Sequence, residues 1–129
     1  MDIPKGLLYT KEHEWVKIDG KKAKVGITNY AEHSLGDITF VELPKTGASF
    51  KQFKQFATVE SVKAASDVYA PISGKIVQVN DELKTKPEIV NQSPYDKGWF
   101  AILEISDEKE KNNLMTSSKY EEYLKGLSK

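Results

Sequence analysis

The sequence predicts an all-β sandwich or barrel closed by a helical C-terminus. Short strand-like segments recur between turn residues along most of the chain. An apolar stripe at helical spacing is confined to the end. At 129 residues the chain is long enough to bury a core as one domain.

Each element has a local reason. "HEWVKI" (13–18) alternates, and Asp19-Gly20 signals a hairpin that returns as "AKVGI" (23–27). Thr28 then caps a short helix, with Ala31 and Leu35 facing inward and Gly36 ending it. "DITFVEL" (37–43) is a strand stopped by Pro44, and "FATVE", "DVYAP" and "GKIVQV" continue the β pattern. Ser73-Gly74 reads as a tight turn in which Gly74 takes a positive φ. The prolines and asparagines of 80–98 predict a surface excursion before "WFAILEI" (99–105) returns to the sheet. Ser106 or Asp107 caps a first helix, and Ser118 with Glu121 has capping-box spacing for a second. Tyr120, Tyr123, Leu124 and Leu127 form its inward stripe.

Composition removes several function classes. The 19 basic residues, all lysine, balance 19 acidic ones, so no overall field draws the chain to nucleic acid or to an anionic membrane. Without cysteine there is no disulfide framework or thiolate nucleophile, and His13 and His33 leave little for a metal cluster. The absence of arginine weakens the case for a nucleotide-binding enzyme. No apolar run approaches a membrane span, and "MDIPKGLLYT" lacks the regions of a signal peptide. These features predict a soluble, cytoplasmic protein, with a mature organellar form left open. No nucleophile elbow, phosphate loop or selected carboxylate pair supports an enzyme.

One lysine stands apart by position. Lys63 lies between "FATVE" and "DVYAP", where a hairpin would hold it at a protruding tip within reach of an attaching enzyme. Ala64, Ala65 and Ser66 are small enough to leave its stem free. On spacing alone, an ordinary solvated lysine in a hairpin is the simpler reading.

The wording of the sequence shifts that balance. "ESVKAASDVYAPISGKI" closely resembles the lipoyl-attachment segment of the glycine cleavage system H-protein family. "HEWV", "VGITNYAEHSLGDITFVELP", "VESVKAASD" and "NQSPYDKGW" resemble successive motifs of that family, in its order, from Tyr9 to about Ile105. Lipoyl domains of dehydrogenase complexes usually read Asp-Lys-Ala and biotin carriers Met-Lys-Met, whereas this chain reads Val62-Lys63-Ala64.

The resemblance implies a barrel-sandwich hybrid, lipoyl-domain-like, all-β with minor α: two antiparallel sheets, a short helix and a helical C-terminus. It implies one lipoyl-carrier domain over 1–129, with a β core at about 9–105 and a helical tail at 106–129. Lipoate would be joined to Lys63 by a lipoate-attaching enzyme, with Val62 and Ala64 forming the attachment turn. The chain would be a carrier and not an enzyme. It would take an aminomethyl group from glycine decarboxylase to the tetrahydrofolate-dependent aminomethyltransferase, and dihydrolipoamide dehydrogenase would reoxidise it. Glu14, Asp67 and, more weakly, His33 map to a cleft for the loaded arm, although each also has a purely structural reading. Where the family often has a small residue two before Glu14, this chain has Glu12. A lipoyl relay protein supplying lipoate to other acceptors is the alternative function.

Overall fold

The computed structural model describes residues 2–127; Met1 and the end of the expected tail, 128–129, lie outside them. The strands are β1 (Leu8–Tyr9), β2 (Glu14–Asp19), β3 (Lys22–Ile27), β4 (Ile38–Glu42), β5 (Ser49–Phe50), β6 (Gln55–Ser61), β7 (Ala65–Tyr69), β8 (Gly74–Val79) and β9 (Ala101–Ile105). They form a six-stranded sheet in the order β1-β2-β3-β9-β8-β5 and a three-stranded sheet in the order β4-β6-β7, with every pairing antiparallel.

Alternation along β2 explains how the sheets share a core. Val16 points inward with Val25, Val41, Val59, Val68, Ile76 and Leu103, all buried. Trp15, one residue earlier, faces the opposite side and joins Tyr9, Tyr120 and Leu124 in a second buried cluster. Glu14 has the parity of Val16, so its carboxylate also points inward.

Helix α1 (Asn29–Leu35) forms as its caps predict. Thr28 Oγ1 accepts from the Ala31 N–H at 3.2 Å, and Gly36, at φ 82°, donates to the Glu32 carbonyl at 3.0 Å. Gly74, by contrast, is not a left-handed turn residue. It opens β8, and a Cβ there would lie 2.3 Å from the Glu104 carbonyl oxygen of β9. Close approach of two backbones, and not a positive φ, requires glycine at this position.

The excursion at 80–98 is pinned down. It contains α2 (Glu82–Thr85) and α3 (Ile89–Gln92), which bury Leu83 and Val90. Asn80 Nδ2 donates to the carbonyls of Lys97 (2.8 Å) and Trp99 (2.9 Å), closing its base. Trp15 Nε1 donates to the Pro94 carbonyl at 2.9 Å.

After β9, Asp107 caps a 3-10 helix (Glu108–Asn113) through the Lys109 N–H at 3.0 Å. The last helix, α4 (Ser117–Leu127), starts before the expected Ser118 cap. Thr116 Oγ1 accepts from the Lys119 N–H at 3.4 Å instead, and Ser118 lies inside the helix. A β-bridge between Tyr9 and Met115 sets where the chain turns, so tertiary pairing decides the cap. Tyr120 and Leu124 are buried, but Leu127 is 45% exposed, so the stripe ends one turn early.

Candidate functional site

Strands β6 and β7 form the hairpin that presents Lys63. Its turn is organised by one hydroxyl that sequence reasoning missed. Ser61 Oγ accepts from the Lys63 N–H (3.2 Å) and the Ala64 N–H (3.1 Å), while the Ser61 N–H donates to the Ala64 carbonyl (2.8 Å). A serine two residues before a turn position is the local signal that could have revealed it. Val62 N–H donates to the Asp37 carbonyl at 3.1 Å, anchoring the tip to the start of β4.

Val62, Lys63 and Ala64 are all exposed. Neither ion pair among the described residues involves Lys63. Its stem leans over the end of α1: the Cε lies 3.5 Å from where a Cβ on Gly36 would sit.

Along β7 from the tip, the hairpin borders a cleft of about 230 Å³. Ser66, Asp67 and Tyr69 line one wall, Tyr30, Ser34 and Leu35 of α1 another, and Glu12 and His13 of the turn before β2 the end. Ser66 is three residues from Lys63, so the cleft opens on the order of 10 Å from the tip. A larger cavity of about 440 Å³ lies beyond Tyr69 and Glu12, lined by Phe53 and Met115 among others. It meets β7 only at Tyr69, whereas the smaller cleft reaches along the strand to Ser66 and so lies nearer the lysine.

The expected cleft residues separate. Asp67 is exposed on the cleft wall, where its Oδ1 accepts from Gln55 Nε2 at 2.9 Å. Glu14 is 1% exposed and lies behind that wall. One of its oxygens accepts from Thr10 Oγ1 and the other from the Tyr69 N–H at 3.1 Å. Burial pushes its carboxyl up to about 7, against the opposing effect of those hydrogen bonds, and the nearby Glu12 charge adds to the rise. His33 is exposed on α1 and does not line the cleft, whereas the adjacent Ser34 does.

Sequence reasoning also missed His13 as a wall residue. It adopts a left-handed φ of 72°, its N–H donates to the Thr10 carbonyl at 3.2 Å, and its carbonyl accepts from the Thr28 N–H at 3.0 Å. Its Nδ1 lies 2.8 Å from Tyr120 Oη. Burial lowers the imidazole below its ordinary pKa. Among the described residues no group of three or more metal-ligating side chains gathers, and no helix is long and apolar enough to cross a membrane.

The family model for the glycine cleavage H-protein matches residues 7–127. A glycine cleavage system H protein of Bacillus subtilis is 54% identical over 122 residues, covering 95% of this chain and 96% of its own. That of Brevibacillus brevis is 51% identical over 125 residues, covering 97% and 99%. The crystal structure of a glycine cleavage system H protein from Mycobacterium marinum superposes with a TM-score of 0.83 at 36% identity, covering 92% of this chain and 95% of that one. The two packed sheets are thus the lipoyl-domain-like barrel-sandwich of that structure. Family model, relatives and fold agree: the chain belongs to the glycine cleavage H-protein family, the lipoyl shuttles of the glycine cleavage system.

Proposed function

We propose that Lys63 carries lipoate in amide linkage and that the cleft beside it receives the loaded arm. Continuity of one hairpin carries this reading. The amine projects at the tip, and Ser66, Asp67 and Tyr69 of the same hairpin line the cleft. Members of the family carry covalently attached lipoate. The residues here suit that group, because the amine is exposed, lacks an ion-pair partner among the described residues and sits on a turn fixed by Ser61.

When bound, lipoate supplies the dithiolane chemistry that takes up a glycine-derived aminomethyl group. Everything else falls to this chain. Val62 and Ala64 give the attaching enzyme a defined shape around one lysine among nineteen. Asp67 offers a carboxylate to an ammonium in the cleft. Glu14 holds the Tyr69 backbone in place from behind the wall. Residues 1–129 act as one carrier unit, raising the effective concentration of the arm at each partner.

H proteins work with the other components of the glycine cleavage system. In our reading glycine decarboxylase loads this chain, the aminomethyltransferase unloads it, and dihydrolipoamide dehydrogenase reoxidises it. The hard chemistry stays with the cofactors of those enzymes.

Intact mass and tryptic mapping after incubation with a lipoate-attaching enzyme test the assignment. Lipoate should appear on Lys63 in wild type, and Lys63→Arg should remain folded but unmodified. Lipoate on a different lysine would remove the assignment. A correctly lipoylated wild type that accepted no aminomethyl group from glycine and a competent decarboxylase would instead favour a relay role.

A further inference from the structure

His13 borders the cleft, yet what it offers an occupant is set from the far end of the chain. Thr28 is fully buried, and its Oγ1 has two partners: the Ala31 N–H and Tyr120 Oη, the latter at 2.8 Å. An N–H cannot accept, so the Thr28 hydroxyl proton goes to Tyr120 Oη. Tyr120 Oη, buried in turn, has one proton of its own and one remaining neighbour, His13 Nδ1 at 2.8 Å. His13 Nδ1 must therefore accept, and the imidazole proton sits on Nε2. Protonating Nδ1 as well would point two donors at Tyr120 and strand the phenol proton.

Among the described residues Nε2 has no hydrogen-bond partner. No buried side-chain nitrogen or oxygen among the described residues lacks one, so in half-buried His13 the Nε2 opens to solvent. His13 is one of the residues that line the cleft. Tyr30, with its ring centroid 4.4 Å away, and Tyr123 at 6.0 Å hold the imidazole plane.

We propose that Tyr120 of the C-terminal helix is a positioning residue for the cleft: through Thr28 and Tyr120, His13 is held in the tautomer that shows the loaded arm an N–H donor and no lone pair. The inference rests on the reading that the arm enters this cleft. Its consequence is chemical. An aminomethyl group on sulfur is stable while its nitrogen is protonated. Once a base removes that proton, the nitrogen lone pair forms a C=N bond and expels the sulfur as thiolate. Water then adds to the iminium to give formaldehyde and ammonia, and the thiolate takes up the proton. Carboxylates such as Asp67 and Glu12 stabilise the ammonium as counter-ions. An imidazole with a free lone pair, basic near neutral pH, would compete for the proton. Fixing the proton on Nε2 removes that base from the wall.

The test begins with nitrogen NMR of unlipoylated, histidine-labelled protein, in which exposed His33 serves as the internal reference. Wild-type His13 should show an unprotonated Nδ1 and a protonated Nε2, whereas exposed His33 should average between its tautomers. Tyr120→Phe removes the donor and should shift His13 toward the Nδ1-protonated tautomer. The loaded Tyr120→Phe protein should then release ammonia several-fold faster than wild type, with a pH dependence that follows His13. A wild-type His13 protonated on Nδ1 overturns the inference without any variant. So does a folded Tyr120→Phe whose ammonia release matches wild type. Should the wild-type arm decay as fast as the same group on free lipoamide, the cleft reading fails, and the inference with it, while the tautomer spectrum still stands and tells the two failures apart.

Discussion

Glu14 Oε2 accepts a hydrogen bond from the backbone N–H of Tyr69 at 3.1 Å, joining the six-stranded sheet to the strand that returns from Lys63. A side chain thus does between sheets what ladder bonds do within them. It does so with a buried carboxyl whose charged form is disfavoured.

That arrangement makes stability depend on pH. Glu14 rises from its ordinary 4.5 to about 7 on folding, so the folded chain holds this proton more tightly than the unfolded chain. Stability from this group is complete below pH 4.5, falls as pH rises toward 7, and is flat above it, by up to about 3 kcal/mol. His13, lowered by burial, works the other way, losing stability as pH falls below its ordinary 6.5. The difference between wild type and Glu14→Gln isolates the carboxyl: the variant should gain on wild type from pH 5 to pH 8 in urea unfolding. Parallel pH profiles would reject the shift.

Ser61→Ala should loosen the attachment turn without unfolding the chain. The N–H groups it frees are exposed and find water, so stability should fall by less than about 1 kcal/mol. The rate of lipoylation by the attaching enzyme should fall several-fold, because Lys63 and Ala64 lose their common acceptor. An unchanged rate would mean that the enzyme does not read this turn.

Gly74→Ala should destabilise by roughly 1–3 kcal/mol, since the new Cβ would be driven into the Glu104 carbonyl and the sheet must shift. Gly74 lies in the sheet opposite the hairpin, so the folded fraction should still be lipoylated at Lys63 at the wild-type rate. Melting temperature and lipoylation rate measured together decide the point. A variant as stable as wild type contradicts it.

Glu12→Gln with Asp67→Asn should leave lipoylation intact and shorten the lifetime of the loaded arm. Both carboxylates line the cleft and are solvated, each contributing up to about 1 kcal/mol to an ammonium, so ammonia release should rise several-fold. Equal lifetimes would remove the carboxylates as its partners.

Elements governed by adjacent residues were legible in the sequence. The Thr28 and Gly36 caps and the Asp19-Gly20 hairpin follow from neighbours alone. Ser118 misled because two hydroxyl residues offer similar capping spacing, and the choice of Thr116 depends on a bridge to Tyr9 more than a hundred residues away. Gly74 misled because a close approach to β9 and a left-handed turn demand the same residue. The hairpin around Lys63 could be read because its two strands and its turn are contiguous in the sequence. His13 could not, since its tautomer is written by Tyr120, which no pattern near "HEWV" reveals.

The hydrogen bond from Trp15 to the Pro94 carbonyl gives the chain a built-in optical gauge. Of the two tryptophans, Trp15 is fully buried, while Trp99 is half-exposed with the Lys24 ammonium 5.6 Å from its ring. Their emission should therefore separate, with the blue component belonging to Trp15. Undocking of the 80–98 excursion would strip the indole of its carbonyl partner and redden that component alone. Motions of this flank can then be followed by fluorescence without attaching a dye, which matters in a protein whose many lysines would all compete for one.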